Sequence, residues 1–287
     1  MNRRKFIGIL TGGTIMSTLA LNNLMKLQKS EKMPVIFAGH GSPMNAVADN
    51  SITRTLKSMG ENLPKPKVIL VVSAHWLTEG TYVTAMNRPK TIHDFYGFPQ
   101  ELFDVQYPAP GSAEAAADIK QLILDPKIQL DESSWGLDHG TWSVLRHMYP
   151  LADIPVLQLS IDLSKPPEYH VQVGQQLQKL RERGVMILGS GNIVHNLRRI
   201  KWEEEAGAFD WAVEFDEAVK KNLVERNVKA LQQDFYTTEA GKLSVPTPDH
   251  YYPLLYTLGA ADSSDDLKFE IEEFQNASIS MRTLRFG

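Results

Sequence analysis

The chain has 287 residues, a formal net charge of -4, 43% hydrophobic and 22% charged residues, which suits one soluble α/β core. Without a basic excess, nucleic acid is not an expected partner. Cysteine is absent, which excludes disulfides, thiolate metal sites and cysteine nucleophiles and leaves His, Asp and Glu as metal ligands.

Residues 1–32 stand apart. Arg3, Arg4 and Lys5 precede an uncharged stretch from Ile7 to Met25, the order of a secretory signal and similar to a twin-arginine export signal. The expectation is an export leader to the periplasm, with the folded domain over 33–287. The alternatives are a cytoplasmic protein with a frayed amphiphilic N-terminus, or a membrane anchor. No stable membrane partner is expected apart from export, and the oligomeric state stays open.

Val35–Ala38 predicts a buried strand that runs into Gly39-His40-Gly41. A histidine is costly to bury unpaired, and glycine leaves room for something to come close. Val68–Ser73 predicts a second strand and leads to His75. Tyr82–Met86 suggests another. From Asn87 to Gly111 the chain carries four prolines and the aromatics Phe95, Tyr96, Phe98, Phe103 and Tyr107. It reads equally as a functional pocket wall or lid and as a surface-packed Ω-loop. Within it His93 could pair with Asp94.

Residues 112–124 predict a helix capped by Ser112. His139 sits beside Asp138 in a turn before a further helix, which Asp138 or Thr141 would cap. Ile154–Ile161 and Val185–Leu188 read as buried strands around a helix over 166–184 that starts at proline and stops at Gly184. After Val185–Leu188 come Gly189-Ser190-Gly191-Asn192 and then His195. Residues 209–227 have helical spacing, His250 lies in a proline-flanked loop, and the tail alternates like edge or antiparallel strands. His147 and His170 fall within helical patterns and read as structural.

Alternating strands and helices predict an α/β fold: a single domain with a central largely parallel or mixed sheet flanked by helices, its active site at the carboxyl ends of the strands. His40, His75 and His195 follow apolar strands and are expected to share one crevice. Neutral imidazoles without cysteine suit zinc or iron(II), and a further, loosely held histidine can move protons near neutral pH. Val194 stands where a dinucleotide fingerprint needs its third glycine, and no Gly-x-Ser-x-Gly elbow occurs.

Seven ordered segments, GHGSPMNAV, VVSAHW, TIHDFYGFPQELFDVQYPAPG, WGLDHGTWSVL, PVLQLSID, GSGNIVHNL and TPDHYYPLLYTLGA, together resemble the class III extradiol ring-cleavage dioxygenases, and most of all their DOPA 4,5-dioxygenase branch. The resemblance runs from about Met33 almost to the C-terminus. It implies a mononuclear metal held by His40, His75 and His250, where protocatechuate-type relatives place a glutamate third. It implies an acid/base role for His195, which can also lie at the metal in zinc-loaded relatives, and a second active-site histidine at His139. The implied reaction opens a catechol (DOPA-like) with O2 to a hydroxymuconic semialdehyde. Non-haem Fe(II) would support it, and Zn(II) could occupy the same site. Rival readings are a zinc-dependent hydrolase, a tetrapyrrole metal chelatase and a metal-storage module.

Overall fold

Three central strands are apolar on both faces, and this double burial sets the architecture. Val35 and Phe37 face one apolar layer while Ile36 and Ala38 face the other. Val68, Leu70 and Val72 alternate likewise with Ile69 and Val71, as do Val185 and Ile187 with Met186 and Leu188. Strands of this kind must be covered by helices on both sides.

The computed structural model describes residues 29–203 and 206–287. All but the last four residues of the predicted leader lie outside them. The strands are β1 (Val35–Gly39), β2 (Val68–Leu77), β3 (Tyr82–Thr84), β4 (Gln129–Asp131), β5 (Val156–Ile161), β6 (Val185–Gly191), β7 (Leu267–Ile271), β8 (Phe274–Gln275), β9 (Ile279–Ser280) and β10 (Thr283–Phe286). Eight of them form one sheet in the order β4-β3-β5-β2-β6-β1-β10-β7, and β8 pairs with β9 separately. The centre, β5-β2-β6-β1, is parallel. The tail adds β10 antiparallel to β1 and β7 antiparallel to β10, as its alternation predicts.

The helices are α1 (Ser51–Asn62), α2 (Gln100–Phe103), α3 (Ala113–Leu122), α4 (His139–Met148), α5 (Pro167–Arg181), α6 (Asp210–Val224), α7 (Val228–Thr237), α8 (Glu239–Ser244) and α9 (Tyr252–Ala260). Helices α1 and α4 pack on one face of the sheet, and α3, α5, α6 and α9 on the other. The helices expected over 112–124, 166–184 and 209–227 are α3, α5 and α6. Ser112 caps α3 by accepting the Ala115 N–H. The result is the expected single α/β domain with a mixed sheet.

Two placements differ from the sequence reading. Strand β2 continues to Leu77, so His75 lies within the strand rather than after it. Three residues separate His195 from the end of β6. Among the described residues, no helix is long and apolar enough to cross a membrane.

Candidate metal centre

Strands β1, β6 and β2 are neighbours in the sheet, so what leaves their carboxyl ends converges. His40 follows β1, and its N–H donates to the Gly191 carbonyl at the end of β6 (3.2 Å). His75 lies two residues before the carboxyl end of β2. His250 arrives from the turn before α9, where its carbonyl accepts the Asn192 N–H (2.9 Å). A Cβ on Gly191 would stand 2.1 Å from that carbonyl oxygen, so only glycine lets the His250 turn close on the strand end. A Cβ on Gly140 would come 2.9 Å from the His75 ring and 2.7 Å from Ser73 Oγ. Glycine there lets the start of α4 press against β2.

The rings of His40, His75 and His250 lie 5.0–5.2 Å apart between centroids. One ligating nitrogen from each lies within 4.8 Å of the others. The hydrogen-bond partners fix which nitrogen carries the proton. Ser190 donates its hydroxyl to the Gly140 carbonyl, so it accepts from His40 Nδ1–H at 3.0 Å. His250 Nδ1 donates to the Asp249 carboxylate, and His75 Nδ1 faces Asp94 Oδ2 at 3.3 Å. His40 and His250 are thereby left with a bare Nε2. The Nε2 atoms of His40 and His75 stand 3.2 Å apart, within hydrogen-bond reach of each other. Two nitrogens each about 2.1 Å from one ion would be about 3–3.4 Å apart. The donor set therefore fits a single metal ion: three neutral imidazoles, each oriented through its other nitrogen.

Electrostatics keeps the set neutral. Burial, reinforced by the neighbouring histidines, holds His40 and His250 well below the usual imidazole value. Burial and then His139 bring His75 down to about 4, against the opposing pull of Asp138, Asp94 and Asp249. Unprotonated nitrogens are the form that binds a metal.

His139 and His195 flank this centre. His139 is the first residue of α4, and its ring lies 4.0 Å from that of His75. Asp138 caps the helix by accepting the Thr141 N–H. Asp138 also accepts from Ser73 Oγ (2.7 Å) and Gln158 Nε2 (2.6 Å), which fixes where α4 begins. His195 stacks flat on His250, with centroids 3.6 Å apart and planes 6° from parallel. Its backbone N–H donates to the Ser244 carbonyl (2.8 Å). Burial above all lowers its pKa to about 4. His195 belongs to neither group of converging ligand atoms among the described residues, His40–His75–His250 and His75–Asp94–His139.

The expected pairing of His93 with Asp94 is not formed. His93 Nε2 donates to the Val105 carbonyl (2.9 Å), while Asp94 turns to His139 and His75. Adjacent side chains on an extended segment point to opposite sides, so the neighbour in sequence is not the partner in space. His147 bonds the Asn45 carbonyl (2.8 Å) and His170 lies between α5 and α9, both away from the centre as expected. Sequence reasoning missed Asp94, Asp249 and Ser190. Asp249 was visible as an acid beside His250; nothing local ties Asp94 to residue 139.

Residues 33–287 match the family model described as the catalytic LigB subunit of aromatic ring-opening dioxygenase. A 4,5-DOPA dioxygenase extradiol of Escherichia coli (strain K12) is 48% identical over 266 residues, 91% of this chain and 97% of the relative. One from Beta vulgaris is 36% identical over 87% of this chain and 95% of its own length. The crystal structure of an uncharacterised protein of Escherichia coli K12 superposes with a TM-score of 0.78 at 45% identity, covering 89% of this chain and all of that one. With a matching family model over the whole folded region and relatives of this identity, the chain belongs to the LigB family of class III extradiol dioxygenases, enzymes that cleave aromatic rings.

Proposed function

We propose that the protein opens the ring of a DOPA-like catechol with O2, using one iron(II) held by His40, His75 and His250. The observation that carries this reading is the convergence of one ligating nitrogen from each of three histidines, with Nδ1 of His40 and His250 held by Ser190 and Asp249 and that of His75 facing Asp94. Relatives bearing the name 4,5-DOPA dioxygenase extradiol support the choice of substrate class. Iron(II) when bound would supply redox chemistry and adjacent positions for catechol and O2; zinc could occupy the same three nitrogens without that redox capacity.

The chain's own residues would then manage orientation and protons. A catechol must lose protons to chelate, and a neutral imidazole beside the centre can take one. His195 fits that role because its ring lies flat on His250 rather than pointing its nitrogen among the three donors. His139 stands on the other side, its Nδ1–H held by Asp94 at 2.9 Å, which leaves Nε2 to accept a proton or a hydrogen bond. Phe95 meets the His139 ring edge-on at 5.5 Å and packs against Phe98, Phe103 and Trp142. The aromatic segment would thus wall the site and exclude water.

The test is anaerobic loading with iron(II), followed by oxygenated buffer and a panel of catechols with and without an amino-acid side chain. A coloured semialdehyde, formed fastest from DOPA-like substrates and with matching oxygen uptake, is the expected result. Turnover of an ester or amide by the zinc-loaded protein, with no oxygen consumed, would point instead to a hydrolase.

A further inference from the structure

Asp94 faces both His75 of the three-histidine set and His139. Its Oδ1 accepts the His139 backbone N–H at 2.9 Å. Its Oδ2 accepts His139 Nδ1–H at 2.9 Å and faces His75 Nδ1 at 3.3 Å. One carboxylate thus accepts two N–H groups of His139 at the start of α4 and faces the His75 ring on β2. Burial opposes its ionisation, but the hydrogen bonds and charges of His139 and His75 outweigh this and hold the carboxyl at about 2.

The carboxylate reaches this position only because its loop is docked. The Ile92 N–H donates to the Leu137 carbonyl (2.7 Å), and Trp142 Nε1 donates to the Ile92 carbonyl (2.8 Å). His93 ties the start of the loop to its far side at Val105, and Phe95 covers His139. The anion that orients the two rings therefore belongs to the segment that would wall the substrate site.

We propose that Asp94 is a positioning residue that couples the docking of residues 92–107 to metal binding at His75. The inference rests on the reading of His75 as a metal ligand. A carboxylate on the far nitrogen of a ligating imidazole fixes its tautomer and raises its basicity, and losing such a partner typically weakens metal binding about 10–100-fold. Coupling of this kind is reciprocal: if the docked loop strengthens metal binding, metal must stabilise the docked loop.

The experiment measures zinc affinity by chelator competition, and hydrogen exchange across 92–107 with and without zinc, in the wild type, Asp94→Asn and Asp249→Asn. In the wild type, zinc should slow exchange in the loop. Asp94→Asn should bind zinc about 10–100-fold more weakly and lose the zinc-dependent protection. Asp249→Asn, which removes the carboxylate on His250, should weaken zinc binding but keep the protection once saturated. Wild-type zinc affinity in Asp94→Asn would overturn the proposal. So would a wild-type loop whose exchange ignores zinc, a readout that does not depend on any variant folding. Neither measurement involves catechol turnover, so absent ring cleavage with these results intact would sink the functional reading alone.

Discussion

His40, His75 and His250 can serve as ligands: His40 and His250 give their Nδ1 protons to a serine hydroxyl and a carboxylate, and His75 turns its Nδ1 toward Asp94. Changing any one of them to alanine should remove most bound metal, measured as stoichiometry on purified protein, while the circular dichroism spectrum stays close to wild type. The apolar strand residues that hold the sheet lie behind the ring cluster, so the fold does not depend on it. Wild-type metal content in His75→Ala would contradict the assignment. His195 separates chemistry from binding. His195→Gln should keep its iron and still bind catechol but cleave it about 10²–10⁴-fold more slowly. Loss of metal as the first effect would make it a fourth ligand instead. These histidines were legible in the sequence because each stands at an apolar run or within a recognisable segment. Asp94 was not legible, because its partner lies 45 residues away and only the loop's path brings them together.

At the level of elements, the buried strands and the helices α3, α5 and α6 could be read from apolar runs and caps. The extent of β2 could not: it ends two residues beyond a histidine that marks a site, and propensity says nothing of that. The contact between α5 and α9 carries a titratable group of its own. His170 is fully buried, its ring 4.0 Å from that of Tyr252 and its Nδ1 hydrogen-bonded with the Tyr256 hydroxyl at 3.1 Å. Burial brings its pKa down to about 4, against the weaker raising influence of the Lys165 backbone and Asp162. The unfolded chain binds this proton near pH 6.5, so the folded state is favoured above that pH and loses the advantage as pH falls toward about 4. The loss should reach about 3 kcal/mol for this residue. Denaturant melts of wild type and His170→Phe across this window should show a shallower slope for the variant. Parallel slopes would mean that His170 does not titrate with unfolding.

At the scale of the whole molecule, the parallel centre of the sheet brings the carboxyl ends of β1, β6 and β2 side by side. The N-terminal leader is a separate proposition. If Arg3 and Arg4 direct export of a protein that has already folded, replacing both with lysine should hold it in the cytoplasm, read by fractionation. An unchanged distribution would dismiss the twin-arginine reading without touching the metal centre. If the three-histidine set supports insertion of O2 into a catechol ring, mixing the iron(II)-loaded protein with L-DOPA and ¹⁸O2 and weighing the product by mass spectrometry should show it. The expected product is a ring-opened semialdehyde with labelled oxygen in its new carboxylate and, when trapped before its aldehyde exchanges with water, in the aldehyde as well, with none formed by His75→Ala. A ring-opened product with no labelled oxygen, or an unchanged yield from His75→Ala, would contradict this.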